Sequence, residues 1–239
     1  MTLANAYEAI LGVAGRPESA ARVAAMRRTF EERTGHFGPA DESASQQRIA
    51  HVDDAWIEAR SRAFWDDALT RQRFARDVAG ELAPDARGWV PGLTTAHRGL
   101  FRAERVHGKL VLVDLWGGAD FAVDEIDDSS RDAIDVASAP FDARVAARWE
   151  GEDGTSAATP QGGQHLREDA YPVVALLPGS IFHPAEAEEA LLHVLEVARA
   201  RALGTDDVLD ALLRMELSLK TLSRVKPAYA YRPEALVLR

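Results

Sequence analysis

Residues 109–116 read Lys109-Leu110-Val111-Leu112-Val113-Asp114-Leu115-Trp116, with His107-Gly108 before them and Gly117-Gly118 after. Both flanking pairs are hairpin-turn signals. The run between them is apolar on both faces, which predicts a central strand covered on two sides. On its N-terminal side Phe101 and Ala103 alternate with charged neighbours. On its C-terminal side Phe121 and Val123 alternate with Asp120, Ala122 and Asp124. Farther on, Phe141, Ala143, Val145, Ala147 and Trp149 alternate strictly with Asp142, Arg144, Ala146 and Arg148, the pattern of a half-buried antiparallel strand. Residues 171–177 supply a fifth strand. The Gly-, Ser-, Thr- and Gln-rich stretch 151–170 before it reads as a mobile excursion. Five short antiparallel strands predict a barrel-like sheet, because closure removes exposed edges.

The flanks change to helical period. Leu3, Tyr7, Ile10 and Leu11 form a first stripe that stops at Gly15. Pro17 then opens a helix carrying Val23, Met26 and Phe30, which ends near Gly35. Ser43 with Gln46 forms a capping box for a helix whose stripe is Ile49, Val52, Trp56 and Ile57. A break near Ser61 separates it from a further stripe of Phe64, Trp65, Leu69, Phe74 and Val78, and Pro84, Gly88 and Pro91 close the helical region. Beyond the strands, Pro184 and the acidic residues Glu186, Glu188 and Glu189 start a helix with the stripe Leu191, Leu195, Ala198 and Ala202. Gly204 ends it, and Thr205 caps the next. There Val208, Leu212, Met215, Leu219 and Leu222 recur in coiled-coil-like steps. The expected architecture is α+β in three parts: a helical region over 1–87, a small antiparallel β module over 88–183, and a C-terminal αα-hairpin with a tail over 184–239.

Composition excludes several function classes. The 46% hydrophobic and 28% charged content belongs to a globular chain rather than a disordered one. Without cysteine there is no disulfide, thiolate zinc site or thiol nucleophile. A net charge of −10 argues against a general nucleic-acid or anionic-membrane partner, since either needs an attractive field. No run approaches the ~20 apolar residues of a membrane span. The first residues lack the basic start and apolar core of a targeting signal. Absence of cysteine is compatible with any compartment, and the cytoplasm is the default expectation.

Candidate chemistry is sparse. The acidic run Asp120, Asp124, Glu125, Asp127 and Asp128 offers hard carboxylate ligands for Mg²⁺ or Ca²⁺ but lacks the spacing of a calcium loop. His51, Asp54 and Glu58 share one helix face that suits Zn²⁺ or Mn²⁺ given a further ligand; a surface row of ion pairs involving Arg62 is the plainer account. Of the 28 basic residues only Lys109, Lys220 and Lys226 are lysine, and Arg60, Arg62, Arg71, Arg73 and Arg76 cluster, interleaved with Asp66, Asp67 and Asp77. That cluster is the candidate for RNA contact. Ser180 lacks the context of an elbow nucleophile, and Gly162-Gly163 lacks the Lys-Ser/Thr of a phosphate loop. Trp116, beside a glycine pair, and the stripe Val208, Leu212, Met215, Leu219 and Leu222 are the candidate interaction residues.

The order Phe64-Trp65-Asp66, then Gly99-Leu100-Phe101, then Val113-Asp114-Leu115-Trp116-Gly117-Gly118 with Val123 resembles uncharacterised bacterial proteins. In these a helical segment precedes a compact β module, sometimes beside an SEC-C metal-binding motif. The resemblance covers residues 45–183 and implies that domain order; it transfers no catalytic residue, and the cysteines of the SEC-C motif are absent here. The leading expectation is a non-catalytic interaction or regulatory module without a cofactor, with a protein partner or a second copy bound through the C-terminal hairpin. The alternatives are a metal-dependent hydrolase built on the acidic or His51 groups, and RNA binding through the Arg60–Arg76 face.

Overall fold

The structure is a computed structural model that describes residues 1–37, 54–147, 171–221 and 225–236. Among the described residues six strands form one sheet: β1 His97–Val106, β2 Lys109–Asp114, β3 Asp120–Glu125, β4 Phe141–Ala146, β5 Val173–Leu176 and β6 Ile181–Phe182. Five of them close on one another in the order β1-β2-β3-β5-β4, with β4 pairing back to β1, and β6 extends the sheet beyond β4. The α+β class and the ring-like five-strand sheet are as expected from the sequence. Not every pairing is antiparallel: β5 lies parallel to β3. Period-two alternation marks a residue run as a strand but carries no information about its direction, so this pairing had no sequence signal.

The ring closes because β1 changes partner along its length. Residues His97 to Phe101 pair with β4, and Phe101 to Val106 pair with β2. Gly99 sits in the crowded part of that strand, where a Cβ would lie 2.6 Å from the Phe101 ring. The β1–β2 turn is His107 and Gly108, both at positive φ, as a two-residue hairpin matched to the strand twist requires. Phe101, Leu112, Phe141, Ala143, Val145 and Leu176 fill the ring, with Ile134 packed among them.

Helix α1 (Leu3–Ala14) is capped by Thr2, whose side chain accepts from Asn5 N, and stops at Gly15. After a 3₁₀ turn at Pro17–Ser19, α2 (Ala20–Thr34) ends on Gly35 at φ +93°; a Cβ there would collide with Leu217. Helix α3 (Asp54–Leu69) runs straight through Ser61, where a break was expected. Its buried face includes Trp56, Arg60, Ala63, Phe64 and Asp67. Three of the buried residues, Arg60, Asp66 and Asp67, are charged, so the hydrophobic period looks interrupted although the helix is not. Three short helices follow, Phe74–Asp77, Pro84–Arg87 and Val90–Thr94. Pro84 and Pro91 therefore sit in opening turns, where proline is tolerated, instead of closing the helical region.

Between β3 and β4, where only a polar connection was expected, lies α4 (Asp128–Val136). Its buried residues are Ser130 and Ile134 alone, too few to display a period. The C-terminal hairpin is α5 (Glu188–Ala200) and α6 (Thr205–Thr221). Leu191, Val194, Leu195, Val208, Leu212 and Met215 form its core together with Leu100 of β1. The tail returns over this core through Tyr231 and Leu236. Full burial of a leucine such as Leu212 contributes roughly 1.5–3 kcal/mol. Among the described residues no helix is long and apolar enough to cross a membrane.

Candidate functional site

Strand β4 was expected to turn its charged face to water, and it does not. Asp142 and Arg144 are buried as completely as the apolar residues between them, because α3 and α6 supply counter-charges to that outer face. In the β1–β4 register Arg98 stands directly opposite Arg144. Two like charges so placed repel and cannot be buried without compensation. The compensation comes from aspartates on three elements.

Asp142 of β4 receives Arg98 in a two-bond fork, Nε to Oδ1 at 3.1 Å and Nη2 to Oδ2 at 2.6 Å. Arg98 Nη1 reaches α6, donating to Asp210 Oδ1 at 2.7 Å and to Asp206 Oδ1 at 3.4 Å. Arg144 Nη2 donates to Asp67 Oδ1 of α3 at 2.8 Å. Asp67 and Asp210 are joined on their other side by Arg33 of α2, and Arg71 also pairs with Asp210 at 3.0 Å. Forks of this kind are the strong form of ion pair. Burial alone would raise the Asp210 carboxyl, but Arg98 and Arg33 outweigh it and hold it at about 2. The two facing arginines are compensated unequally. Burial works against both cations; Asp142 and Asp210 more than offset it for Arg98, whereas Arg144, with Arg98 alongside, is left with its pKa lowered.

This layer opens into a cavity of about 230 Å³. Four guanidinium groups, Arg71, Arg73, Arg98 and Arg144, line it together with one carboxylate, Asp206. Thr70 and Thr94 also line it, but their hydroxyls donate to the carbonyls of Asp66 and Val90, so the free donors are guanidinium N–H groups. Arg73 makes no ion pair among the described residues. Its backbone is left-handed at φ 61°, a conformation that costs a side-chain-bearing residue about 1–2 kcal/mol.

Comparison with protein-family models, with curated proteins and with solved structures found no match for this chain. The cleft is thus characterised by its own geometry.

Other polar groups lie outside the lining of this cavity. Asp66 is fully buried, accepting from Tyr7 Oη at 2.8 Å and from Gly179 N at 2.9 Å; burial pushes its carboxyl up to about 7. His183 Nδ1 lies 2.7 Å from Tyr231 Oη, and burial pushes the ring down to about 3, so it is neutral. At the end of the ring interior His97 Nε2 lies 2.8 Å from Asp114 Oδ2, and Asp114 Oδ1 accepts from Trp116 N. A second hollow, of about 330 Å³, lies between α3 and α4, walled by Ala55, Ala59, Ala133, Pro178 and Phe182, with Arg62, Glu58 and serines at its polar positions.

The residues singled out from the sequence go elsewhere. Among the described residues no group of three or more His, Asp or Glu is arranged to hold a metal ion. His51 lies outside the described residues. Asp54 and Glu58 are exposed, and Glu58 pairs with Arg62 one turn on. In the acidic run, Asp124 and Asp128 are exposed, while Glu125 accepts from the first amides of α1, Leu3 N and Ala4 N. Asp127 is the N-cap of α4, its Oδ1 accepting from Ser130 N at 3.0 Å. Two of these carboxylates thus satisfy helix N-termini, which explains acid at those positions.

The Arg60–Arg76 group does not form one face. Arg60 is fully buried against α6, donating to Leu213 O, while Arg71 and Arg73 line the cleft. The stripe expected to receive a partner is covered within the chain: Val208, Leu212 and Met215 are buried, Leu219 packs on the same cluster, and Leu222 lies outside the described residues. A coiled-coil-like period records only that a face is buried, and here the chain's own α5, β1 and tail bury it. Trp116 is half-buried, its Nε1 donating to Thr205 Oγ1 at 3.0 Å beneath the Arg199 guanidinium. The cleft residues Arg33, Arg98, Asp142, Arg144, Asp206 and Asp210 were not singled out, and Asp67 entered only as an acid interleaved with the Arg60–Arg76 cluster. One signal was present: Asp210 is a lone charge within Val208-Leu209-Asp210-Ala211-Leu212-Leu213.

Proposed function

We propose that this chain is a non-catalytic regulatory module that holds a small oxyanion in the arginine cleft. The observation that carries the reading is the pair Arg98 and Arg144, facing each other across adjacent strands, nearly buried, and opening on one cavity with Arg71 and Arg73. An anion between such groups gains charge-assisted hydrogen bonds in a medium where attraction is stronger than in water. Guanidinium is the side chain best fitted to the planar and tetrahedral oxygens of carboxylate and phosphate. It stays protonated throughout the working pH range, so the walls bind a ligand and do not exchange protons with it.

A thermal melt with inorganic phosphate against chloride at matched ionic strength tests this. Bound ligand at a hundred times Kd stabilises by about 2.7 kcal/mol, which for a chain of this length raises Tm by roughly 5–10 °C. Arg73→Ala, which removes a cleft cation without breaking an ion pair, is expected to weaken the response about tenfold in phosphate concentration. Equal melting in phosphate and chloride would refute the reading.

A further inference from the structure

Four arginines of the layer, Arg33, Arg71, Arg98 and Arg144, are paired with four aspartates, Asp67, Asp142, Asp206 and Asp210. The aspartates are not equivalent. Asp67, Asp142 and Asp210 have buried side chains, at 0%, 4% and 5% exposure, and each sits behind the cavity wall with at least one contact at 2.8 Å or less. Asp206 is 45% exposed and itself lines the cavity. Its two contacts, 3.3 Å to Arg71 Nε and 3.4 Å to Arg98 Nη1, are the longest among the ion pairs of the layer. It occupies the first turn of α6, where a carboxylate turned to solvent still benefits from the positive end of the helix. Leaving the arginines therefore costs it little.

Charge bookkeeping points the same way. With Asp206 in place the paired network is neutral, and Arg73 gives the cleft one positive charge. With Asp206 turned out, the cleft carries two, which a divalent oxyanion balances.

We infer that Asp206 is a built-in competitor, a carboxylate that occupies the arginine cleft in the free chain and gives way to a divalent oxyanion. This rests on the proposed anion cleft and adds the group that sets its affinity and its preference for ligand charge. Binding to a cleft already holding Asp206 must displace those contacts, so the resident carboxylate weakens every ligand and weakens monovalent ones most.

The test is calorimetric titration of the full chain with inorganic sulfate, whose charge is fixed, and with acetate as the monovalent probe. Asp206→Asn is expected to bind sulfate about tenfold more tightly than the natural chain, and Asp206→Ala likewise. Asp207→Asn, an exposed neighbour outside the ion-pair layer, controls for net charge and is expected to leave affinity unchanged. The natural chain is expected to prefer sulfate to acetate. Unchanged or weaker sulfate binding in both Asp206 variants, with binding intact in the natural chain, would overturn the competitor role and leave the anion cleft standing. An equal gain in Asp207→Asn would also overturn it, by showing that net charge alone is at work. No sulfate or phosphate binding by the natural chain or any variant would remove the cleft and the competitor together.

Discussion

The two faces of β4 are equally hidden from water and chemically opposite. Phe141, Ala143 and Val145 point into the ring at 1–2% exposure, while Asp142 and Arg144 point outward at 3–4%. The inner face is held by the non-directional gain of removing apolar surface from water. The outer face is held by directional pairs whose Coulomb attraction must first offset the desolvation of each ion. The two kinds of burial therefore fail differently. An apolar wall loses only the atoms removed, whereas an ion layer that loses one partner leaves the other buried and uncompensated.

The largest contrast is expected from single and paired substitutions across that strand. Asp142→Ala leaves the Arg98 fork empty beside Arg144 and is expected to cost about 3–5 kcal/mol in denaturant unfolding. Replacing Arg98 and Asp142 together by Met and Leu is expected to recover most of that loss. On the inner face Leu112→Ala is expected to cost about 2–5 kcal/mol, with no second substitution that restores it by charge matching. A cost for the Arg98 and Asp142 pair equal to that of Asp142→Ala alone would erase the distinction.

The charged side also answers to pH, and the apolar side does not. His183, held near 3 when folded against 6.5 in the unfolded chain, binds its proton only in the unfolded state over that window, so stability falls as pH drops from about 6.5 to 3. Asp66, held near 7 against 3.8, binds its proton only in the folded state, so stability rises as pH drops from about 7 to 3.8. Each slope is about 1.4 kcal/mol per pH unit, and between about pH 4 and 6.5 they oppose one another. Below 4 the Asp66 gain is complete. Asp210, held near 2, then begins to lose its contribution, so acid unfolding steepens. Glu216, whose carboxyl is also raised by burial, adds to the Asp66 slope. Between pH 4 and 6.5 the unfolding free energy of Asp66→Asn, relative to the natural chain, is expected to decline steadily as acid is added. Parallel profiles in the two proteins would contradict proton binding by Asp66 in the folded state.

The smallest effect belongs to an ion pair in water. Glu58→Ala removes the exposed pair with Arg62 and is expected to change stability by no more than about 0.5 kcal/mol. A loss comparable to that of Asp142→Ala would mean that burial is not what separates the two pairs.

Much of the fold was legible because periodicity survives without knowledge of neighbours. The strands around Leu112 and Val145, the turn at His107-Gly108 and the helices ending at Gly15 and Gly35 follow from alternation, caps and glycine alone. Two features misled for one reason: Arg60 and Asp67 on α3, like Asp142 and Arg144 on β4, are charged residues buried beneath other elements, and a hydrophobic pattern counts every charge as solvent-facing. The site was illegible for that reason and for another. Its members lie as far apart in sequence as Arg33 and Asp210, and no local spacing connects them.

The amino-acid sequence by itself determined most of the helices and five of the six described strands, because backbone hydrogen bonding and side-chain alternation are local; α4, with two buried residues, and the two-residue β6 were too short of pattern to be read. It also excluded thiol chemistry and set the acidic net charge. The parallel seating of β5 against β3, the closure of the ring, and the burial of the hairpin stripe inside the chain were decided only in three dimensions. So was the assembly of the arginine cleft, because a buried charge is tolerable only where distant elements bring it a partner, and which elements meet is a property of the packed whole.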